Sequence, residues 1–147
     1  MAELSDLYQE VILDHNRRPR NFKVLDNATH AAEGYNPLCG DRLNLFLRVE
    51  DGVIVDVSFQ GAGCAISKAS ASLMTDSLKG QPVEDARALF ERFRRMVTTP
   101  PGTDVEDLGK LSVLAGVREF PVRVKCASLA WHTFKAALDR AELASTE

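Results

Sequence analysis

The chain of 147 residues has the length of one ordinary domain, and its 45% hydrophobic content is enough apolar material for a buried core. Its 18 basic and 21 acidic residues give a formal charge of −3 and form no clustered basic face, so we expect no nucleic-acid partner. It contains no run of roughly 18 apolar residues and no signal-peptide pattern, so we expect one cytoplasmic domain over residues 1–147 without a membrane partner.

The N-terminal segment has the period of an amphipathic helix. A stripe recurs at spacings of three and four, at positions Leu4, Leu7, Tyr8, Val11, Ile12 and His15. We expect this helix to end between Arg17 and Asn21, because Pro19 restricts the residue before it and lacks a backbone donor. Residues 23–36 predict a loop with one irregular strand.

Two stretches of alternating residues follow and predict a β-hairpin. Apolar residues occupy every second position from Leu43 to Val49 and again from Val53 to Phe59, which is the period of half-buried strands. The turn between them contains an Asp-Gly pair at residues 51–52, typical of a tight hairpin connection. We therefore expect an antiparallel sheet at the centre of the fold.

Helical spacing returns after the hairpin. Gly61 and Gly63 permit a tight turn into a helix that Gly80 would end, which places Cys64 at the start of that helix. A further apolar stripe over residues 83–93 suits a helix that packs on the uncovered face of the sheet.

The last third of the chain predicts a loop and two more helices. Two prolines and a glycine in residues 98–104 indicate a surface loop, and a short helix is expected over residues 107–115. Residues 120–124 read as extended, and an amphipathic helix is expected to open at Cys126. Together these elements predict an α+β fold with about three antiparallel strands and helices packed on one face.

The three cysteines carry the candidate chemistry, since an odd number of thiols in a reducing compartment argues against a disulfide framework. Cys39 and Asp41 are two residues apart, so in an extended segment both side chains could converge on one cation. Cys64 and Cys126 are both expected at helix starts, where the helix dipole favours the thiolate. Arg123 would add positive charge beside Cys126.

Three thiolates and one carboxylate satisfy the four-coordinate preference of Zn²⁺, with sulfur at about 2.3 Å and oxygen at about 2.0–2.2 Å. Such a centre would carry a net charge of about −2, which Arg123 and Lys125 are placed to offset. The alternative is three unrelated cysteines that serve as small buried hydrophobic residues, because they are widely spaced and form no CxxC pair.

The remaining polar candidates are interpreted structurally. His15, on the apolar stripe of the first helix, is expected to be a hydrogen-bonded histidine of the fold. His132 lies slightly off the face of Cys126, so we do not expect it to bind metal. Arg92, Arg94 and Arg95 form either a solvated helix face or a docking surface for an acidic partner.

Four segments resemble the IscU/NifU-like superfamily, and within it the SufU-type zinc-dependent sulfurtransferases. In chain order they are YQEVILDHNRRPRN, NPLCGDRLNLFLRVEDG, VSFQGAGCAISKASASLM and VKCASLAWHTF. The family's cluster scaffolds commonly have a histidine immediately before the last cysteine, where this chain has Lys125. Residues 90–108 also resemble an insertion typical of the SufU type.

The resemblance implies a zinc site and a role for each of its residues. Zn²⁺ would be bound by Cys39, Asp41, Cys64 and Cys126; Cys39 would leave the metal to accept sulfur, and Arg123 would help to control that opening. The implied partners are a SufS-type pyridoxal-phosphate-dependent cysteine desulfurase, whose histidine would replace Cys39 on zinc, and a downstream scaffold of SufBCD type. Cys39 must then be accessible to a protein partner.

Two other functions use the same residues. A scaffold would assemble a [2Fe–2S] or [4Fe–4S] cluster on the cysteines, although Lys125 stands where that function places a histidine ligand. A binding module would use zinc only to stabilise its fold. Cys126 also remains a candidate for the persulfide carrier, because the third cysteine is the usual acceptor in the scaffold relatives.

Overall fold

The fold is taken from a computed structural model that describes the backbone of residues 2–139 and 143–145 and the side chains of residues 9–139. Its elements, in chain order, are α1 (Ala2–Arg17), β1 (His30–Asn36), β2 (Asp41–Glu50), β3 (Val53–Ala62), α2 (Ala65–Leu78), α3 (Val83–Thr98), a 3₁₀ helix (Gly109–Glu119), α4 (Pro121–Leu138) and β4 (Leu143–Ser145). Among these described elements, no helix is long and apolar enough to cross a membrane.

The centre of the fold is a sheet with the strand order β3-β2-β1-β4. Strands β1, β2 and β3 pair antiparallel, as predicted, and the short strand β4 adds a parallel pairing to β1. The hairpin between β2 and β3 turns at Asp51 and Gly52, whose φ angles of 51° and 75° are both positive. A two-residue turn with this geometry matches the right-handed twist of the flanking strands.

Helices α2 and α4 pack against each other and cover one face of the sheet. Leu43, Leu45 and Leu47 of β2 point into this interface and are buried. Burial of one such side chain contributes about 1.5–3 kcal/mol relative to its exposure. The predicted α+β fold, with helices packed on one face of an antiparallel sheet, is confirmed.

Helix α1 ends at Arg17, within the predicted range, and packs against α2. Ile12 and His15 of its predicted stripe are buried. The side chains of the other predicted stripe residues, Leu4, Leu7 and Tyr8, lie outside the described part of the chain.

Helix α3 forms at the predicted position but packs on a different surface. It contacts α4 and the 3₁₀ helix, and Phe93 stacks on Trp131 with ring centroids 4.3 Å apart and an interplanar angle of 13°. The prediction that α3 lies on the sheet was wrong, because α2 and α4 already occupy that face. Helix α3 therefore adds a further layer behind α4.

The start of α4 also differs from the prediction. Residues 120–124 were expected to be extended, but the helix begins at Pro121, with Phe120 as its extended N-cap residue. Proline suits the first helical position because it has no backbone N–H to leave unpaired there. Cys126 therefore lies in the second turn of α4 rather than at its start. The short helix expected over residues 107–115 is the 3₁₀ helix Gly109–Glu119.

Candidate metal centre

The candidate centre lies where three parts of the fold meet: the loop between β1 and β2, the junction of β3 with α2, and the second turn of α4. Asn36 and Asp41 face each other as the last paired residues of the β1–β2 ladder. Residues 37–40 form the loop that joins them, and Gly40 adopts a left-handed φ of 69° there. This loop carries the exposed residue Cys39 to the edge of the sheet.

Cys39 and Asp41 approach each other by a route that differs from the prediction. An extended segment was expected to place both on one face, but Cys39 lies in a turn and only Asp41 belongs to a strand. The loop folds the Cys39 side chain back toward the start of β2. Asp41 itself is fully buried.

The predicted ligands gather in one cluster with Cys64 at its margin. The Sγ atoms of Cys39 and Cys126 lie 3.1 Å apart. One ligand atom from each of Cys39, Asp41 and Cys126 lies within 4.8 Å of the others. Cys64 Sγ is 3.8 Å from Asp41 Oδ2. The structure therefore brings together three of the four predicted residues, and places the fourth beside their carboxylate.

The position of Asp41 depends on the backbone of residues 63 and 64. The backbone N–H of Cys64 donates to Asp41 Oδ1 at 2.8 Å. A Cβ atom added to Gly63 would lie 2.5 Å from that same oxygen, and one added to Gly61 would lie 2.2 Å from the carbonyl oxygen of Arg42. Glycine is thus required at both positions because neighbouring groups approach the backbone closely.

Cys64 is the N-cap residue of α2, which confirms its predicted place at a helix start. Its backbone is extended, with φ −71° and ψ 165°, and the backbone N–H of Ser67 donates to its Sγ at 3.4 Å. The dipole of α2 and the Ser67 N–H thus both direct positive potential at the Cys64 sulfur.

Cys126 has the opposite electrostatic environment. Its side chain is buried, and burial raises the pKa of its thiol strongly; the hydrogen bond with Cys39 and the negative charge of Cys64 raise it further. Acidic groups crowded in this way repel one another when ionised. A bound cation would relieve that repulsion, so the cluster has the chemistry of a cation site.

Comparison with known proteins identifies the family. Residues 7–139 match the family described as the NifU-like N-terminal domain. The chain belongs to this family.

Two curated members and one solved structure show how similar the chain is to its relatives. It is 39% identical over 141 residues to the zinc-dependent sulfurtransferase SufU of Bacillus subtilis (strain 168), covering 96% of this chain and 95% of that protein. It is 40% identical over 140 residues to the iron–sulfur cluster assembly scaffold protein IscU of Streptococcus pyogenes serotype M1, covering 95% and 87%. The crystal structure of FiSufU from Fervidobacterium islandicum AW-1 superposes on this chain with a TM-score of 0.81 at 33% identity. The match covers 88% of this chain and 94% of FiSufU, which is described as a candidate iron–sulfur cluster assembly scaffold protein of the SUF system.

The basic residues near the centre of this NifU-like chain lie at the start of α4. The exposed guanidinium of Arg123 lies over the Phe120 ring, 4.3 Å from its centroid, in a cation–π contact. Lys125 is half-buried immediately before Cys126. Both residues thus lie near the buried thiol along the helix, and the role predicted for Arg123 stays a prediction.

Asn36 belongs to the centre and was missed by the sequence analysis. It is fully buried, and its Nδ2 lies 3.3 Å from Asp41 Oδ2 and 3.5 Å from Cys126 Sγ. The alternation of β1 contains a signal that would have found it, because Ala32, Gly34 and Asn36 share the buried face of that strand. A polar residue at the buried end of a strand requires hydrogen-bond partners.

The histidines lie apart from the described cluster. His15 Nδ1 is 2.7 Å from the Ser72 hydroxyl, in agreement with its predicted structural role. His132 packs edge-on against Phe90, with ring centroids 5.7 Å apart. The arginine face predicted on α3 is exposed, and Arg92 and Arg94 form ion pairs with Glu106 and Glu91.

Proposed function

We propose that this protein is a zinc-dependent sulfur carrier of the SufU type, which accepts persulfide sulfur from a SufS-type cysteine desulfurase and passes it on for iron–sulfur cluster assembly. The observation that supports this most directly is the contrast between Cys39 and Cys126. Their sulfur atoms are 3.1 Å apart, yet Cys39 is exposed on a loop and Cys126 is buried in a helix. One thiol can therefore meet a protein partner while the other stays in place.

The residues present fit zinc. A tetrahedral centre with the usual bond lengths has sulfur–sulfur edges of about 3.8 Å and sulfur–oxygen edges of about 3.6 Å. The 3.8 Å between Cys64 Sγ and Asp41 Oδ2 is close to such an edge. The distance of 3.1 Å between Cys39 Sγ and Cys126 Sγ is about 0.7 Å shorter than a sulfur–sulfur edge of such a centre. A small movement of the exposed loop can supply this difference. Cys39, Asp41, Cys64 and Cys126 would hold the ion, and zinc bound there would keep the thiols ionised and suppress their oxidation.

Transfer of sulfur requires a thiolate at Cys39 and a persulfide on the partner's cysteine. The Cys39 thiolate attacks the terminal sulfur of that persulfide, as in thiol–disulfide exchange. A new sulfur–sulfur bond forms on Cys39, the partner's sulfur–sulfur bond breaks, and the partner's cysteine leaves as a thiolate. Arg123, one helical turn before Cys126, adds positive charge near the reacting groups and is our candidate for controlling the release of Cys39.

The surroundings of Cys39 suit a protein partner. Leu38 precedes it in the loop, and Phe120 and Val122 lie at the start of α4; these side chains are 60%, 48% and 52% exposed. Exposed apolar and aromatic side chains of this kind become buried in protein interfaces. We propose that the desulfurase, which contributes the pyridoxal phosphate, docks here in the cytoplasm, and that a SufBCD-type scaffold then receives the sulfur.

A cluster scaffold is the second candidate. Relatives named IscU are as similar to the chain as the SufU relative, and two of them are 40% and 41% identical to it. The same cysteines could hold an iron–sulfur cluster as cargo. Lys125 disfavours this function, because an ammonium group supplies no ligand for iron where the family's scaffolds commonly have a histidine.

Metal content and a transfer assay test the proposal together. The protein would be isolated without air, analysed for zinc, iron and acid-labile sulfide, and then incubated with a SufS-type desulfurase and cysteine. We expect one zinc per chain, negligible iron, and a mass increase of one sulfur atom that maps to Cys39 and is absent from Cys39→Ser. Iron with matching sulfide would support the scaffold instead. Zinc without any sulfur on Cys39 or Cys126 would leave only a structural role for the metal.

A further inference from the structure

The side chain of Asn36 joins three parts of the candidate centre. Its Nδ2 donates to Asp41 Oδ2 at 3.3 Å and to Cys126 Sγ at 3.5 Å. Its Oδ1 accepts from the backbone N–H of Leu38 at 3.3 Å, which fixes the first turn of the loop that carries Cys39. One buried amide thus contacts the strand, the helix and the loop.

The hydrogen-bonding capacity of Asn36 is matched to these partners. The amide NH₂ has two donors, one for the carboxylate and one for the thiol, and the amide oxygen accepts from the loop. Asp41 is held from its other side by the backbone N–H of Cys64 at 2.8 Å, so each of its oxygens has a donor. Asn36 is 0% exposed, which excludes water as a replacement partner without rearrangement.

Asparagine also suits the charge of the centre. Aspartate at this position would add a buried negative charge beside Asp41, and it would offer oxygen where Cys126 receives a donor. An amide stabilises anionic ligands through its N–H groups without adding charge to the site.

We propose that Asn36 is a positioning residue for the metal centre, an inference that rests on the proposed zinc site. It orients Asp41 and Cys126, and through Leu38 it sets the conformation of the loop that carries Cys39. Asn36 contacts the ligand atoms of Asp41 and Cys126 directly but acts on Cys39 only through the backbone of Leu38, so Cys39 is the ligand that can leave when a partner arrives. Asn36 contributes to metal affinity and to the position of the loop, and it forms no bond with the transferred sulfur.

Zinc affinity is the property that tests this role, measured by competition with a chromogenic chelator. The variants are Asn36→Ala, which removes all three contacts, and Asn36→Asp, which keeps the size and the acceptor for Leu38 but removes both donors. The matched control is Asn44→Ala, an asparagine of the neighbouring strand β2 that is half-exposed on the other face of the sheet. Urea unfolding of the chelator-treated proteins measures the effect on the fold alone.

We expect zinc binding to weaken by about 10–100-fold in both Asn36 variants and to stay unchanged in Asn44→Ala, since outer hydrogen-bond partners of metal ligands typically have effects of this size. We also expect the sulfur-to-metal absorption band of the Co²⁺-loaded protein to shift in Asn36→Asp. If both variants bind zinc as the wild type does, while their metal-free forms unfold at lower urea, Asn36 is only structural and the inference is overturned. A wild-type protein that binds no zinc would overturn the proposed function as well, so the two failures are distinguishable.

Discussion

The Sγ atoms of Cys39 and Cys126 lie 3.1 Å apart, although the two residues are separated by 87 positions in the sequence. The loop after β1 and the second turn of α4 are brought together by the packing of α4 on the sheet. Two thiols at this distance are close enough to bind one cation together. They are also close enough to form a disulfide after a small adjustment of the loop.

Oxidation of the metal-free protein is therefore expected to join Cys39 to Cys126. With hydrogen peroxide, the exposed Cys39 thiolate forms a sulfenic acid and releases hydroxide, and Cys126 then displaces water to form the disulfide. Peptide mapping without reductant should detect this bond in the wild type and in Cys64→Ser. Zinc-loaded protein should react more slowly. A dominant Cys39–Cys64 bond would contradict the arrangement.

Replacement of Asp41 should weaken both metal binding and the fold. Asp41→Ala removes a proposed ligand and leaves the partly buried N–H of Cys64 without its acceptor, which costs about 1–3 kcal/mol. We expect zinc affinity to fall by at least about 10–100-fold, which is the loss typical when a hydrogen-bond partner of a metal ligand is removed. Chelator competition gives the affinity and urea unfolding gives the stability. Asp56→Ala, in the neighbouring strand β3, is the control and should keep wild-type affinity.

The sheet could be predicted from the sequence because its signals are local. Alternation in β2 shows which of its residues face the core, and the Asp-Gly pair marks the turn of the hairpin. The alternation predicted for β3 was wrong at its start, because a register shift between Arg48 and Val49 buries Ile54 and leaves Val55 exposed. The start of α2 at Cys64 was predicted for the same reason, since a turn of glycines and a helical stripe adjoin there. These features do not depend on distant parts of the chain.

Features that depend on distant contacts were not predictable in this way. The stripe of α3 shows that one face is buried but not which surface covers it, and Trp131 of α4 proved to be the partner of Phe93. The β-branched residues Val122 and Val124 favour a strand, yet Pro121 begins a helix there. The alternation of β1 indicates that Asn36 is buried, but its contact with Cys126, 90 positions away, could not be predicted. The insertion near residues 90–108 remains a prediction.

A pair of phenylalanine substitutions should separate stability from docking, because Phe93 is 1% exposed and Phe120 is 48% exposed. Phe93→Ala leaves a cavity against Trp131 and should lower the free energy of unfolding by about 3–5 kcal/mol. Phe120→Ala should change that free energy little but reduce stimulation of the desulfurase. Urea unfolding and the rate of sulfide release measure the two effects. Equal losses of stability would show that Phe120 belongs to the core.

The buried His15 should make the stability of the protein depend on pH. Burial lowers the pKa of His15 below its ordinary value near 6.5, and the positive charge of Arg20 lowers it further. The unfolded chain therefore binds a proton at a higher pH than the folded chain does. The contribution of neutral His15 is fully present above about pH 6.5 and is lost as the pH falls through the folded pKa.

Urea unfolding of chelator-treated protein between about pH 7.5 and 5 isolates the effect of His15. Metal binding is itself pH-dependent, because the ligands lose protons when they bind, and the chelator removes that contribution. We expect the wild type to lose stability over this range and His15→Asn, which keeps a polar group beside Ser72 but does not titrate, to lose less. Some loss should remain in the variant, because burial also lowers the pKa of His132. If both proteins lose stability equally, proton uptake by His15 does not control the slope, and its role is confined to the hydrogen bond with Ser72.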